Sequence, residues 1–184
     1  RQKNIPNILG NHDYYLAYDQ PCPRSNVANV LLEYQRGKIK PENMEWLRCS
    51  VPRMEYGKAS FVHGGWQDPL DEYLTDVSKE YFRNESAKYF FSGHTHIQSL
   101  SVLGTICHCN PGSVGQPRDN DPKAAFALFN GEKVCLRRVD YDIDRIAFAM
   151  KDCGFSPYVY ESLYSGRKIG AQRSGAESAG EERK

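Results

Sequence analysis

Two histidines on alternate residues follow a short apolar run near the middle of the chain. His94 and His96 belong to the sequence FSGHTH (residues 91–96), which comes directly after the strand-like segment KYFF (residues 88–91). Side chains at positions i and i+2 of an extended backbone point the same way. The segment is therefore expected to present two imidazole nitrogens to a common point, as a transition-metal ion requires. Taken alone, the pair fits a surface turn equally well.

Three further motifs have a related arrangement. GNHD (residues 10–13) follows an apolar stub at residues 5–9, FVHGG (residues 61–65) ends a second strand-like run, and NPGSVGQPRD (residues 110–119) comes after the paired histidines. Four of the five histidines are thus predicted to lie where a strand gives way to a glycine-containing loop. Such loops are the preferred location of catalytic groups in α/β folds. The fifth, His108, lies inside a strand-like stretch and is predicted to be an ordinary packed or half-exposed side chain.

In this order, GNHD, HGG, GHTH and NPGSVGQPRD resemble the second half of a calcineurin-like metallophosphoesterase. The most similar branch is the compact bacterial and archaeal one, which is related to diadenosine tetraphosphatases and Ser/Thr phosphatases. The resemblance extends over residues 4–165 and includes DIDR (residues 142–145) at the start of a late helix. The Asp-x-His and Gly-Asp-x-x-Asp motifs with which the family begins are absent. We therefore expect residues 1–164 to be the C-terminal portion of the domain, without its N-terminal half.

The resemblance implies a role for each candidate site residue. Asn11, His63 and His94 match ligands of the second metal ion, and His96 matches a ligand of the first. His12 matches the histidine that approaches the phosphate and assists departure of the leaving group. Mixed nitrogen and oxygen ligation favours Mn, Fe, Zn or Ni over Ca or Mg. We expect two divalent transition metals in the complete protein, with Mn favoured.

Two neighbouring charged residues each leave two interpretations open. Asp13 is expected to orient His12 or raise its proton affinity, and the alternative is a loop carboxylate that caps a turn. Arg118 is expected either to reach the substrate phosphate, since a guanidinium matches phosphate oxygens, or to form a structural salt bridge. The glycines and Pro111 in the same loop are expected to form a rigid turn that supports the site.

The activity that the resemblance implies is hydrolysis of a phosphoester at a dinuclear metal centre with a bridging hydroxide. A nucleotide or small phosphodiester is the expected substrate, and the helix over residues 25–36 and the segment 67–76 are candidates for the cleft wall. Because the chain supplies only the second half of the site, we expect it to be weakly active or inactive alone. The alternatives are a non-catalytic protein-binding module, as in the retromer subunit with this fold, and a mononuclear metal-binding remnant.

Composition limits the other classes of function. The chain has 184 residues with 24 basic and 23 acidic side chains, a net charge of +1 that argues against a broad nucleic-acid surface. No apolar run is as long as a membrane span, so no membrane association is expected. The six cysteines show no CxxC pair and no framework spacing, which favours reduced thiols and a cytoplasmic protein. Oligomeric state is left open.

The order of predicted elements indicates an α/β fold. The resemblance makes this a metallophosphoesterase-type α/β/β/α sandwich of two mixed sheets, N-terminally truncated. Residues 165–184 are rich in Gly, Ser, Glu and Arg and are predicted to be a disordered tail. Helices are predicted over residues 25–36, 41–49, 78–86, 142–152 and 157–164, and strands over 5–9, 54–56, 59–63, 89–91, 99–103, 105–108, 124–129 and 133–139.

Overall fold

The structure, a computed structural model, describes residues 5–170. Within this range the chain forms a five-stranded sheet, a two-stranded sheet and five helices, the last continued by a 3₁₀ turn at Glu161–Tyr164. The helices are α1 (Asn11–Ala17), α2 (Asn26–Arg36), α3 (Pro41–Arg48), α4 (Ile143–Asp152) and α5 (Pro157–Tyr160). The strands are β1 (Arg53–Tyr56), β2 (Ala59–Val62), β3 (Tyr89–Phe91), β4 (Ser99–Leu103), β5 (Ile106–Asn110), β6 (Ala124–Phe129) and β7 (Val134–Val139).

The five-stranded sheet is mixed and has the strand order β1-β2-β3-β5-β4. Strands β2, β3 and β5 are parallel to one another, and the antiparallel strands β1 and β4 form its edges. Strands β6 and β7 form a separate antiparallel hairpin. The carboxyl ends of parallel strands meet at the same edge of a sheet. The segments that follow β2, β3 and β5 are therefore neighbours in space.

The core of the sandwich lies between the two sheets. Tyr89 and Phe91 of β3 pack on this side with Cys109 of β5, against Val134 and partly buried residues of the hairpin. The stacked pair of Phe61 and Phe91, with ring centroids 4.7 Å apart, belongs to the same layer. Alternate residues of these strands face away, so each parallel strand is buried on both sides. The predicted α/β sandwich of two sheets is confirmed, and its second sheet is a two-stranded antiparallel one.

Most predicted elements are present. The hairpins around Gly57, Gly104 and Asn130-Gly131 are confirmed, and all three glycines have positive φ angles. Helix α2 begins after Ser25, whose side chain accepts a hydrogen bond from the amide of Ala28, and α4 begins after a capping Asp142. Turn glycines and capping side chains act through local backbone geometry, which explains why they can be located from sequence.

Two local predictions are wrong. Residues 79–84 form a series of turns in place of a helix over 78–86, although the Ser78 side chain accepts the expected hydrogen bond from the amide of Tyr81. The side chains of the adjacent residues Tyr81 and Phe82 are each held by a tertiary contact. Tyr81 donates a hydrogen bond to Glu72, and Phe82 is buried against Phe90. Residues 5–9 form only a single parallel bridge between Ile8 and Val51.

The GNHD motif begins a helix, where a loop had been expected. Asn11 is the first residue of α1, and Gly10 is its N-cap.

At the other end of the chain, residues 165–170 of the predicted tail make contacts. The carbonyl of Gly166 accepts a hydrogen bond from the amide of Asn120, and Arg167 donates to the Asn120 side chain. Residues 171–184 lie outside the described residues.

Two predictions made from composition concern membrane spans and cysteines. None of the helices in residues 5–170 combines the length and the apolar character that crossing a bilayer requires. All six cysteines are free, and Cys107 and Cys109 pack in the core between the sheets.

His108 of β5 is packed in an aromatic layer on the face of the five-stranded sheet that lies away from the β6-β7 hairpin. It is 2% exposed and has Trp66 and Phe82 as ring neighbours. Its Nε2 lies 2.9 Å from the Ser92 hydroxyl, whereas its Nδ1 has no hydrogen-bond partner among residues 5–170. Burial lowers the pKa of His108 to about 4. The prediction of an ordinary packed side chain is confirmed.

The pH dependence of stability tests this environment. With a pKa near 6.5 in the unfolded chain and about 4 in the folded one, His108 takes up a proton on unfolding between these values. Its contribution to stability is present above pH 6.5 and is lost as the pH falls, by about 2 kcal/mol between pH 7 and pH 5. We expect His108→Phe to reduce the pH dependence of the free energy of unfolding by this amount in urea titrations. An unchanged pH dependence in the variant would contradict the buried neutral imidazole.

Candidate metal centre

Three donor atoms from distant parts of the chain converge at the end of the parallel strands. The Oδ1 atom of Asn11 lies 2.9 Å from Nε2 of His63, and the same Nε2 lies 3.1 Å from Nδ1 of His94. Nε2 of His63 thus contacts both an imidazole nitrogen and an amide oxygen. This is a suitable set of atoms for a common metal ion.

Each of these side chains is placed by a secondary-structure element. His63 directly follows β2 and His94 lies three residues after β3, and the amide of Gly93 donates to the carbonyl of His63 at 2.8 Å. Asn11 reaches them because it begins α1 directly after the N-cap Gly10, where a Cβ atom would lie 3.0 Å from the Asp13 carboxylate and 3.4 Å from Nδ1 of His63. Glycine at position 10 therefore allows the helix to approach His63 closely.

The GHTH segment is not extended as the alternation argument assumed. His94 and His96 both have left-handed backbone conformations, with φ angles of 60° and 62°. Such conformations are strained for residues other than glycine and occur where the surrounding structure enforces them. His94 contacts His63, whereas Nδ1 of His96 lies 2.7 Å from the carbonyl oxygen of Gln116. The two histidines are thus brought to the same region by a strained loop.

Asn110 is the residue that holds this loop. Its side-chain amide donates to the carbonyl of Gly93 at 2.8 Å and to the hydroxyl of Thr95 at 2.9 Å, on either side of His94. Its Oδ1 accepts from the amide of Gly112 at 2.9 Å, and the residue is 2% exposed. Asn110, and not only the glycines and Pro111 of this motif, therefore supports the site, a role that was not predicted from the sequence. The available signal was an asparagine that ends a strand directly before Pro-Gly.

The histidines are kept neutral by their surroundings. Burial lowers the pKa of His63 to about 4, with a smaller contribution from His94. Burial also lowers the pKa values of His94 and His96 to about 4, assisted by the positive charges of Arg24 and Arg118 respectively. A neutral imidazole has a free lone pair, which a metal ion requires. The donor set therefore fits a transition-metal ion.

His12 and Asp13 lie beside this cluster. His12 lines the same cavity as Asn11, and its pKa is lowered by burial and by Arg118, with Asp13 acting in the opposite direction. The contact that Asp13 makes is with the helix N-terminus, since its Oδ2 accepts from the amide of Gly10 at 3.2 Å. Burial raises the pKa of Asp13. The carboxylate thus caps α1, while its charge still acts on His12.

Arg118 is held beside His96 by the NPGSVGQPRD loop. Its amide donates to the carbonyl of His96 at 3.0 Å, and its guanidinium donates to the Gln116 side chain at 2.8 Å. No ion pair of Arg118 occurs within residues 5–170, and its buried Nε has no hydrogen-bond partner there. The neighbouring Asp119 forms the salt bridge of this loop, with Arg138. The guanidinium of Arg118 is therefore not neutralised by a carboxylate of the described chain.

A cavity of about 1010 Å³ adjoins the cluster. Helix α2 and the segment 67–76 both contribute to its wall, through Val27 and Leu31 and through Asp71 and Tyr73, as expected from the sequence. Arg24, Arg118 and Lys168 also line it, so positively charged side chains outnumber negative ones. Such a cavity has the size and mixed lining of a small-molecule site.

The described residues do not complete a metal site by themselves. Within residues 5–170, no group of three or more His, Cys, Asp or Glu side chains is arranged to hold an ion. The converging donors are two histidines and one asparagine. The ring of His96 contacts the carbonyl oxygen of Gln116, 2.7 Å from its Nδ1.

Comparison with known proteins identifies the family. Residues 1–133 match the calcineurin-like phosphoesterase superfamily domain, and the chain belongs to this superfamily. Over 196 aligned positions it is 26% identical to the uncharacterized protein MJ0912 of Methanocaldococcus jannaschii, covering 91% of this chain and 78% of that protein. The family is one of metal-dependent phosphoester hydrolases.

Solved structures show the same fold. The metallophosphoesterase from Sphaerobacter thermophilus is similar with a TM-score of 0.73 and 26% identity, over 86% of this chain and 76% of that one. The hypothetical protein PH1004 from Pyrococcus horikoshii has a TM-score of 0.78 at 22% identity, over 90% of this chain and 74% of its own. The second likeness shows the fold alone. The predicted resemblance to metallophosphoesterases is thus confirmed.

Replacement of Asn110 tests the support of the GHTH loop. Asn110→Ala removes one hydrogen bond each from the carbonyl of Gly93, the hydroxyl of Thr95 and the amide of Gly112, at a cost of about 1–3 kcal/mol in the free energy of unfolding. Because His94 then loses its backbone restraint, we also expect weaker Mn²⁺ binding. The matched control is Asn130→Ala, which removes an asparagine from the distant β6-β7 turn. Calorimetry that found equal Mn²⁺ affinity in both variants would contradict this role for Asn110.

Proposed function

We propose that this chain belongs to a phosphoester hydrolase that cleaves a nucleotide or another small phosphodiester at a dinuclear metal centre. The observation that supports this most directly is the convergence of Asn11 and His94 on Nε2 of His63, each within hydrogen-bond distance of it. Membership of the phosphoesterase superfamily supports the reaction class. Histidines with strongly lowered pKa values that line a cavity are candidates for a functional site.

The proposed ligands divide between two ions. Asn11, His63 and His94 would hold one ion, and His96 would contribute its Nε2 to the other while its Nδ1 stays on the carbonyl of Gln116. Such a contact fixes the orientation of a ligating ring. We propose that a bridging carboxylate and the remaining ligands of the first ion come from outside the described residues, so that this chain supplies the second half of the site. Mn is favoured among Mn, Fe, Zn and Ni.

The chain's own groups would perform defined tasks around that centre. When bound, the two ions would supply an activated bridging hydroxide and polarise the phosphoryl oxygens. Arg118 would bind a phosphoryl oxygen through a guanidinium that has no carboxylate partner in residues 5–170. His12 would donate a proton to the leaving oxygen, or stabilise its charge, from the wall of the same cavity.

The cavity supports a substrate with an organic group of moderate size. Its apolar lining includes Val27 and Leu31 of α2 and Ile146 and Met150 of α4, beyond the polar residues near the cluster. A nucleoside or aryl group attached to the phosphate would find apolar surface there. The six free cysteines support a reducing, cytoplasmic setting. A non-catalytic protein-binding or single-ion module on the same scaffold remains the alternative that the experiment addresses.

The test measures metal content and turnover together. The described chain is purified alone and with any segment encoded upstream in the same reading frame, loaded with Mn²⁺, and analysed for metal per chain and for hydrolysis of a bis-aryl phosphate. We expect at most one weakly bound ion and little turnover for the chain alone. The longer protein is expected to bind two ions and to show Mn²⁺-dependent hydrolysis.

A matched pair of variants of the longer protein separates ligand from catalytic group. His94→Ala should lose bound Mn²⁺ and activity together, because it removes a donor atom. His12→Ala should keep its Mn²⁺ and lose turnover by about 10²- to 10⁴-fold, as expected for a proton donor. If His94→Ala retains its full metal content in a protein that hydrolyses nothing, the enzyme proposal is wrong and the non-catalytic module is favoured.

A further inference from the structure

Asp71 lies at the centre of a polar network beside the ligand cluster. It belongs to the segment 63–88 between β2 and β3, and the residue itself lies outside every motif that carried the family resemblance. Its carboxylate is held by Arg24, with N–O distances of 3.1 Å and 3.0 Å to its two oxygens. The hydroxyl of Tyr15 donates to Oδ2 at 3.4 Å. Two side chains from other parts of the chain therefore fix where this carboxylate lies.

The carboxylate faces the outer nitrogen of His94. Its Oδ1 lies 3.4 Å from Nε2 of His94, and that nitrogen is buried and makes no hydrogen bond within residues 5–170. The other nitrogen, Nδ1, lies 3.1 Å from Nε2 of His63 and so faces the donor cluster. The ring is also held by Tyr73, whose centroid is 4.2 Å away in an edge-to-face arrangement. The two nitrogens of His94 thus have different environments.

This difference matters because a neutral imidazole carries one proton. The nitrogen with the proton is a donor, and the other has the lone pair that a metal ion requires. If the proton is on Nε2, then Nδ1 presents its lone pair to Asn11 and His63. If the proton is on Nδ1, the cluster has lost a donor atom. A carboxylate next to Nε2 stabilises the first tautomer.

We propose that Asp71 is a positioning residue that accepts the Nε2–H of His94 and so holds its Nδ1 ready to bind a metal ion. Arg24 and Tyr15 keep the carboxylate in place for this contact. The inference rests on the proposed function for the identity of the ligand, a divalent cation. The tautomer that it assigns is a property of the metal-free protein.

The experiment therefore begins with metal-free protein labelled with ¹⁵N in histidine. Long-range ¹H–¹⁵N correlation distinguishes the two neutral tautomers, and the His94 signals are identified by their absence from a His94→Gln sample. We expect the Nε2–H form in the unmodified protein and a mixture of tautomers in Asp71→Ala. Asp71→Asn, which preserves side-chain volume, provides a second variant if the alanine variant is poorly folded. Asp71→Glu should restore part of the Nε2–H population.

The second measurement is Mn²⁺ affinity, followed through the EPR signal of the unbound ion. By analogy with other residues that orient ligating histidines, we expect Asp71→Ala to bind Mn²⁺ about 10- to 100-fold more weakly with unchanged stoichiometry. The matched control is Asp76→Ala, which removes the same charge from an exposed position in the same segment.

The two readouts separate failure of this inference from failure of the proposed function. A His94 tautomer that is unaffected in both Asp71→Ala and Asp71→Asn would overturn the positioning role. The same holds if Asp76→Ala weakens Mn²⁺ binding as much as Asp71→Ala does. If the protein that includes any upstream segment binds no Mn²⁺ while the tautomer responds to Asp71, the proposed function fails and the contact between Asp71 and His94 stands.

Discussion

The hydrogen bonds between three parallel strands are the constraint on which the site depends. Because β2, β3 and β5 run in the same direction, the residues that follow them emerge at one edge of the sheet. His63, the GHTH loop and Asn110 are separated along the sequence and become neighbours only through this pairing. The pairing in turn requires both faces of β3 to be covered, one by the β6-β7 hairpin and the other by Phe82 and Trp66. Core packing and site geometry are therefore coupled.

Strain at the site is balanced by buried polar contacts. Left-handed backbone at His94 and His96 is unfavourable by itself, by about 1–3 kcal/mol per residue. It persists because Asn110 satisfies the groups on either side of His94 and Gln116 holds the ring of His96. The ring of His94 is restrained separately by Tyr73 and Asp71. Backbone and side chain are thus fixed by different residues, which gives the donor atoms defined positions before any ligand binds.

The sequence predicts the parts of this structure that depend on local geometry. Hairpin turns, helix caps and the membership of Asn11, His63 and His94 in ordered motifs follow from residue type and order. The helical start of GNHD, the turns at residues 79–84 and the conformation of the GHTH loop do not, because each is decided by tertiary contacts. Asp71 could not be identified from residue type and order. Its role depends on a segment without helix or strand that folds back onto His94.

Charge determines how much of a metal centre this chain can form. Asn11, His63 and His94 are neutral donors, and the one carboxylate of the described residues that lines the cavity, Asp71, is paired with Arg24. The cavity also contains Arg118, so within residues 5–170 its charge favours an anion such as a phosphate over a cation. Two divalent ions at short separation need carboxylates to offset their repulsion. The described residues therefore suit a phosphate, and the proposed pair of ions would need acidic side chains in addition to those of residues 5–170.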